Sequence, residues 1–457
     1  MEAKQCCSSV IKKGCKKDPS NYRPISLTSV CCKLMESLIR DEVSDHMLTN
    51  DLFSDHQHGF VPGRSCMTQL LCAMEAWTDL IDKGESIDVV YLDFSKAFDS
   101  VPHQRLIHKL EAYGISGPIR TWIQDFLTER KQRVVVNHNM SDWTPVTSGV
   151  PQGSVLGPLL FVIYINDLPD EIEAAVKIFA DDTKLYGKAT SEEDYTTLQR
   201  DVQKLEGWSE KWQLHFNAKK CKTLHLGAGN PRREYELDSV KIPETKEEKD
   251  LGVVIDEKLR FHQQSAIAAR KANGVLARIR RSFTCKDRST IPLLYKGLVR
   301  PILEYGNVIW HPRYVKDEKI IEKVQKRATK MVPEIKLQSY HERLESLKLP
   351  SLSHRRRRGD MIQVFKLMQN IDRLDSTQFF TPAINSTTRG HAFKLTKPRC
   401  NTKLRQDSFS HRVLNDWNSL PELVVSATSV NSFKARLDKH WKKEQYHSPF
   451  SQLTLQL

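Results

Sequence analysis

No stretch of this 457-residue chain is long and apolar enough to cross a bilayer. The longest apolar run, from Val155 to Ile165, is too short and contains Pro158. The opening residues, Met1-Glu2-Ala3-Lys4-Gln5, do not read as a signal peptide. Cysteine pairing is missing too: the cysteines at 6, 7, 15, 31, 32, 66, 72, 221, 285 and 400 include no C-x-x-C spacing. That indicates neither a zinc site nor a disulfide framework, and reduced thiols are the expectation. No internal repeat stands out. A protein of the nucleus or cytoplasm, without a membrane partner, is therefore expected.

An acidic balance is absent as well. The formal net charge is +14, with 28% charged and 39% hydrophobic residues. Such a chain buries a sizeable core, and its charge favours a polyanionic partner without specifying a fold. The charge is uneven. Lys258 to Arg300 holds eleven Lys or Arg against one acid, Asp287. Clustering of this kind suits a surface that tracks phosphates, and equally a solvated helical face. The run Arg355–Arg358 reads as a nuclear-targeting or RNA-contacting stretch, or again as a solvated face.

Residues 1–20 read as a poorly ordered lead-in, and the chain becomes globular at Asn21-Tyr22-Arg23-Pro24. Ile87 to Leu92 predicts a buried strand that emerges at Asp93. Leu106, Leu110 and Tyr113 share a helical face that Gly114 ends, and Pro118 opens another helix. Val134–Val136 and Trp143–Thr147 predict a hairpin, followed by the glycine-rich loop Ser148–Ser154. Val176–Phe179 and Thr183–Tyr186 flank Ala180-Asp181-Asp182 as strand, acidic turn and strand. Ser191, with acids behind it, caps a helix carrying Leu198, Val202, Leu205 and Trp212. Without a strict βαβ rhythm this is an α+β pattern, turning mostly helical and basic beyond residue 260.

A strand ending in Asp93 beside a hairpin with Asp181 and Asp182 has a chemical use. Phosphoryl transfer needs two divalent ions about 4 Å apart on the attacking and leaving oxygens. Hard ions such as Mg²⁺ take oxygen ligands. On this view the carboxylates of Asp93 and Asp181 converge on a shared ion, with Asp182 in support. Taken alone, an Asp-Asp turn is ordinary turn chemistry.

The surrounding blocks change that balance. Tyr91-Leu92-Asp93-Phe94-Ser95-Lys96-Ala97-Phe98-Asp99 and Phe179-Ala180-Asp181-Asp182 resemble the catalytic motifs of non-LTR (LINE-type) retrotransposon reverse transcriptases. Asn21–Leu27 and His58-Gly59-Phe60-Val61-Pro62-Gly63-Arg64-Ser65 are similar to that family's fingers blocks. Ser148–Ser154 and Phe216–Lys222 are similar to the blocks before and after its hairpin. Six blocks stand in the family's order, and the resemblance runs from about residue 12 to beyond 440.

The resemblance implies a right-hand polymerase with a palm of antiparallel sheet and Asp-Asp hairpin. Fingers and palm would span 21–245, a basic helical thumb 246–340, and a helical region 341–457. It implies an RNA-directed DNA polymerase using RNA template, DNA primer, dNTPs and two Mg²⁺ ions, or Mn²⁺. Asp93, Asp181 and Asp182, with the Phe94 carbonyl, would hold the metal. Phe98 would gate the sugar 2′ position, or be a core residue. Gln152 would lie near the incoming nucleotide, or on a plain loop. Arg64 would meet the triphosphate, or be solvated, and Phe94 would line the nucleotide site. Lys220, or its neighbours Lys219 and Lys222, would protonate pyrophosphate. Leu251-Gly252-Val253 falls where the family steadies the primer end. The segments Leu294–Gly306 and His411–Pro421 also match, without a chemistry of their own.

Such elements carry an endonuclease ahead of the polymerase, and none is visible here, so the chain reads as a truncated copy. The competing reading is a nucleic-acid-binding derivative that no longer catalyses. A viral RNA-dependent RNA polymerase is disfavoured by the Ala-Asp-Asp turn and by Phe98.

Overall fold

A computed structural model of the chain describes residues 4–11, 22–136, 139–383 and 391–446. Most of the lead-in read from the sequence, Asn21 of the first block and the tail 447–457 lie outside them. The strands are β1 (Lys4–Ile11), β2 (Tyr22–Ser26), β3 (Ile87–Leu92), β4 (Lys131–Val136), β5 (Asn139–Met140), β6 (Thr144–Pro145) and β7 (Ala175–Phe179). They continue with β8 (Asp182–Lys188), β9 (Lys222–Leu226), β10 (Glu236–Leu237), β11 (Val240–Lys241), β12 (Glu244–Thr245), β13 (Glu247–Asp250) and β14 (Val253–Asp256). The chain is α+β and divides into two compact units.

The first unit comprises Met1–Gln69, Ile87–His225 and Asn230–Thr245. One sheet has the order β2-β1-β4-β5, with β6 also on β4. Lys4–Ile11 is thus a strand, antiparallel to β2 and parallel to β4, where the sequence suggested disorder. Its backbone groups are satisfied by two partners, of which β4 is remote in sequence and no local pattern reveals it. The second sheet, β12-β9-β3-β8-β7, sets β3 antiparallel to β8 and β8 antiparallel to β7.

The core of this unit forms around the run that was too short for a membrane. The helix Gly157–Tyr164 is apolar all round, and every residue from Leu159 to Ile165 is buried. Each large side chain there stabilises the fold by about 1.5–3 kcal/mol. Buried Glu36 accepts the Val155 and Leu156 N–H groups at 2.6 and 3.0 Å, anchoring the helix entrance. Lys109, also buried, donates to the Tyr164 carbonyl and to Asp167 Oδ1 at 2.5 Å, and its ammonium lies 3.7 Å from the Trp212 ring centre. Burial pushes this lysine down to about 8, against the pull of Asp167.

The second unit comprises Leu70–Ser86, Leu226–Gly229 and Lys246–Leu457. Residues 70–86, read from sequence with fingers and palm, fall here because the helix Cys66–Asp82 is clasped near its C-terminal end. Asp82 Oδ1 accepts the Thr402 N–H and hydroxyl, both at 2.6 Å, and Arg405 reaches Glu75 Oε1 at 2.5 Å. The arginine run lies inside the helix Leu352–Met368 and is neither a free recognition patch nor a solvated face. Arg355 pairs with Glu304, Arg356 with Glu318, Arg357 with Asp416 and Glu444, and Arg358 with Asp438. The basic stretch behaves differently: Arg270, Lys271, Arg278, Arg280 and Arg281 are exposed along the helix His262–Ser282.

Arg405 and Glu75 are each about nine-tenths buried. Burial lifts the Glu75 carboxyl above its usual range while Arg405 pulls it down. Removing one partner leaves an uncompensated buried charge, so Arg405→Met is expected to destabilise by about 3–5 kcal/mol. The double variant Arg405→Met, Glu75→Met should recover most of the loss. Denaturant unfolding measures both, and an Arg405→Met protein as stable as the parent rules out the pair.

Candidate active site

The register of the second sheet sets the acidic residues side by side. Leu92 is paired with Thr183, so Asp93 follows at the strand end opposite position 182. Phe179 is paired with Asp182 across the two-residue turn Ala180-Asp181. Directly opposed residues share a sheet face, so Asp93, Asp182 and Phe179 lie on one side. Asp181 is half-buried and Asp182 exposed. A short antiparallel bridge continues the strand, with the Asn217 N–H on the Asp93 carbonyl at 2.7 Å and the Ser95 N–H on the His215 carbonyl at 2.8 Å. In that pattern the Phe94 C=O points away from the 216 segment. The Phe94 ring is buried and stacked on Phe216 at 4.3 Å. The same bridge delivers Lys220, whose ammonium lies 2.9 Å from Asp93 Oδ1. Its neighbour Cys221 is buried, and burial pushes that thiol up to about 11.

The acidic turn is held by a strap that the sequence did not announce. Residues 56–58 run parallel to β7, with the His58 N–H on the Ile178 carbonyl at 2.8 Å and the Ile178 N–H on the His56 carbonyl at 2.9 Å. Buried Gln57 turns its side-chain carbonyl to the Ala180 N–H at 3.0 Å and the Gly59 N–H at 2.8 Å. Ala180 has φ +53°, uncommon for a residue with a side chain. Gly59 is required by space: a Cβ there would stand 2.4 Å from the Ala180 nitrogen. A glycine in a matching block is a readable signal, whereas Gln57 offers none.

Arg64 belongs to this strap. Its guanidinium donates to the Ser54 and Gln57 carbonyls at 2.8 and 2.9 Å and to Asp55 at 2.5 Å, and its side chain is only 10% exposed. Of the two sequence readings, a phosphate contact or a solvated arginine, the burial argues against the second.

The glycine-rich loop is sewn to the segment after Asp93. The Val150 N–H donates to the Phe98 carbonyl at 2.7 Å and the Gly149 N–H to the Val101 carbonyl at 2.8 Å. A Cβ on Gly149 would meet the Asp99 carbonyl oxygen at 2.7 Å. The Gln152 amide donates to Asp99 Oδ1 at 3.0 Å, a partner the sequence reading did not name. The half-buried Phe98 ring stacks on core residue Phe161 at 4.5 Å, as its reading as a core residue expects.

Carboxylates in this register suit a hard divalent cation in donor chemistry. Among the described residues, however, no three His, Cys, Asp or Glu side chains are grouped to hold an ion. Asp93 takes a counter-charge from Lys220 through Oδ1.

The pattern of the reverse transcriptase (RNA-dependent DNA polymerase) family matches residues 12–255, and the chain belongs to that family. It is 30% identical over 330 residues to a probable RNA-directed DNA polymerase from transposon BS of Drosophila melanogaster, covering 69% of this chain and 36% of that protein. Against the RNA-directed DNA polymerase from mobile element jockey of the same species, identity is 28% over 304 residues, 63% of this chain and 33% of that one. The chain thus spans about a third of the length of these relatives. A telomerase structure from Candida tropicalis is similar at TM-score 0.45 and 8% identity, over 76% of this chain and 61% of that one, too distant to add weight. No helix among the described residues is long and apolar enough to cross a membrane.

His58 ties the strap to pH. Burial, with Lys177 and Arg64 nearby, lowers its pKa from 6.5 to about 2. The folded state therefore refuses a proton that the unfolded chain accepts below 6.5. The stabilisation is complete above pH 6.5 and is lost as pH falls, by up to about 1.4 kcal/mol per unit. His58→Gln is expected to flatten that part of the stability–pH curve, measured by denaturant unfolding between pH 7 and 5. An unchanged slope contradicts the assignment.

Proposed function

We propose that this chain is an RNA-directed DNA polymerase that extends a DNA primer on an RNA template with dNTPs, in the nucleus or cytoplasm. The observation that carries the reading is the strand register that sets Asp93 beside Asp182 at the acidic turn, in a chain of the reverse transcriptase family. Asp93, Asp181 and Asp182, with the Phe94 carbonyl, would hold Mg²⁺ or Mn²⁺, which supplies charge stabilisation to the attacking and leaving oxygens.

This chain's own groups do the remaining work. Lys220 holds a proton 2.9 Å from Asp93 and donates it to the leaving pyrophosphate. Phe98, braced flat against Phe161, offers a rigid edge to the sugar of the incoming nucleotide and disfavours a 2′-hydroxyl. Gln152 is oriented by Asp99, which keeps the loop face beside the nucleotide at a set distance. The exposed arginines and lysine of the helix His262–Ser282 follow the duplex backbone.

The purified protein is expected to extend a DNA primer on an RNA template with Mg²⁺ and dNTPs, and Asp181→Ala to abolish extension. Template–primer binding without extension by the unmodified protein selects the non-catalytic alternative. Within an active protein, Phe98→Ala is expected to raise ribonucleotide incorporation relative to dNTP by about 10- to 100-fold. Single-nucleotide incorporation assays measure that ratio, and an unchanged ratio removes Phe98 from the gate.

A further inference from the structure

The strap that holds the acidic turn ends on an aromatic side chain that the fold leaves in solvent. Phe60 is 53% exposed, and its backbone sits at φ +57°, a conformation that bulky residues rarely adopt. Neither feature is needed to close the strap, because the Gly59 N–H is already on Gln57 and the Gly59 backbone already meets Ala180. Scattered exposed aromatics are ordinary on a protein surface. A strained one fixed at an acidic turn is not, since such strain concentrates at functional positions.

Its location is set by the register. The Phe60 ring centre is 6.4 Å from that of Phe179, with the planes tilted by 38°. Phe179 is paired with Asp182 and shares its sheet face. Phe179 thus stands opposite an aspartate of the acidic turn, and Phe60, open to solvent, is the ring beside it. Aromatic rings on a nucleic-acid path stack on bases irrespective of sequence, because every base has a π-face.

We propose that Phe60 is a nucleic-acid contact of the polymerase site, stacking on a base of the template–primer duplex beside the acidic turn. This rests on the polymerase reading above. The contact holds the duplex end while Asp93, Asp181 and Asp182 act on it, and it carries no base specificity of its own.

The test uses the full chain, an RNA–DNA template–primer and the variants Phe60→Leu and Phe60→Trp. Binding is read by fluorescence anisotropy, without dNTPs. Phe60→Leu is expected to weaken binding by about 5- to 100-fold, and Phe60→Trp to restore it. Melting temperatures of both variants should match the parent, because the side chain is half in solvent. With 2-aminopurine at the primer terminus, or at the facing template base, the parent should quench the probe and Phe60→Leu should not. The quenched position names the strand. Unchanged affinity and quenching in Phe60→Leu overturns the proposal, as does a loss of affinity that Phe60→Trp does not restore. If the parent binds and these effects appear without primer extension, the stacking contact stands and the polymerase reading falls. If the parent extends primers and Phe60→Leu behaves like it, only the contact falls.

Discussion

The three aspartates at one end of the second sheet are like charges, which repel when brought near one another. The chain fixes where they stand through the backbone pairing of β3, β8 and β7. It supplies Lys220 to Asp93 and ties the turn from behind through Gln57 and Gly59. The held geometry is thus a backbone property, while the side-chain partners remain exchangeable. An ammonium on an aspartate, about half of it in solvent, is a weak pair.

Arginine is used in two opposite ways, and composition alone conflates them. Arg64 and Arg405 are about nine-tenths buried and engaged on both backbone and side-chain oxygens. The four arginines from 355 to 358 join one helix to acids at 304, 318, 416, 438 and 444, holding the second unit by charge as well as by packing. Planar guanidinium groups suit such paired geometry. The stretch from 270 to 281 keeps its charges in water. A net charge of +14 overstates the recognition surface, because part of it is structural.

What could be read from the sequence was what is local or periodic. The Ile87–Leu92 strand, the strand–turn–strand around Asp181, the Pro118 helix start and the Ser191 capping box all follow from neighbours within a few residues. What could not be read depends on partners far along the chain. β1 has such a partner in β4, Gln57 meets Ala180 across 123 positions, and Asp82 meets Thr402 across 320. The partners of Arg64 and of the Arg355–Arg358 run were hidden for the same reason, since an arginine's surroundings are set by the carboxylate or carbonyl it reaches. The family was legible through its blocks; the support of the acidic turn was not.

The support also joins the segment of Phe98 to the loop of Gln152. The Val150 N–H bonds the Phe98 carbonyl, the Gln152 amide bonds Asp99, and the Ser26 N–H bonds the Gln152 carbonyl. Displacing the loop therefore moves the peptide that carries the Phe98 ring. Gly149 and Gly153 make that close stitching feasible, because a Cβ at either would collide with backbone oxygens of Asp99 or Ser26. The ring itself rests on Phe161 of the buried helix, so main chain on one side and core on the other hold it in place.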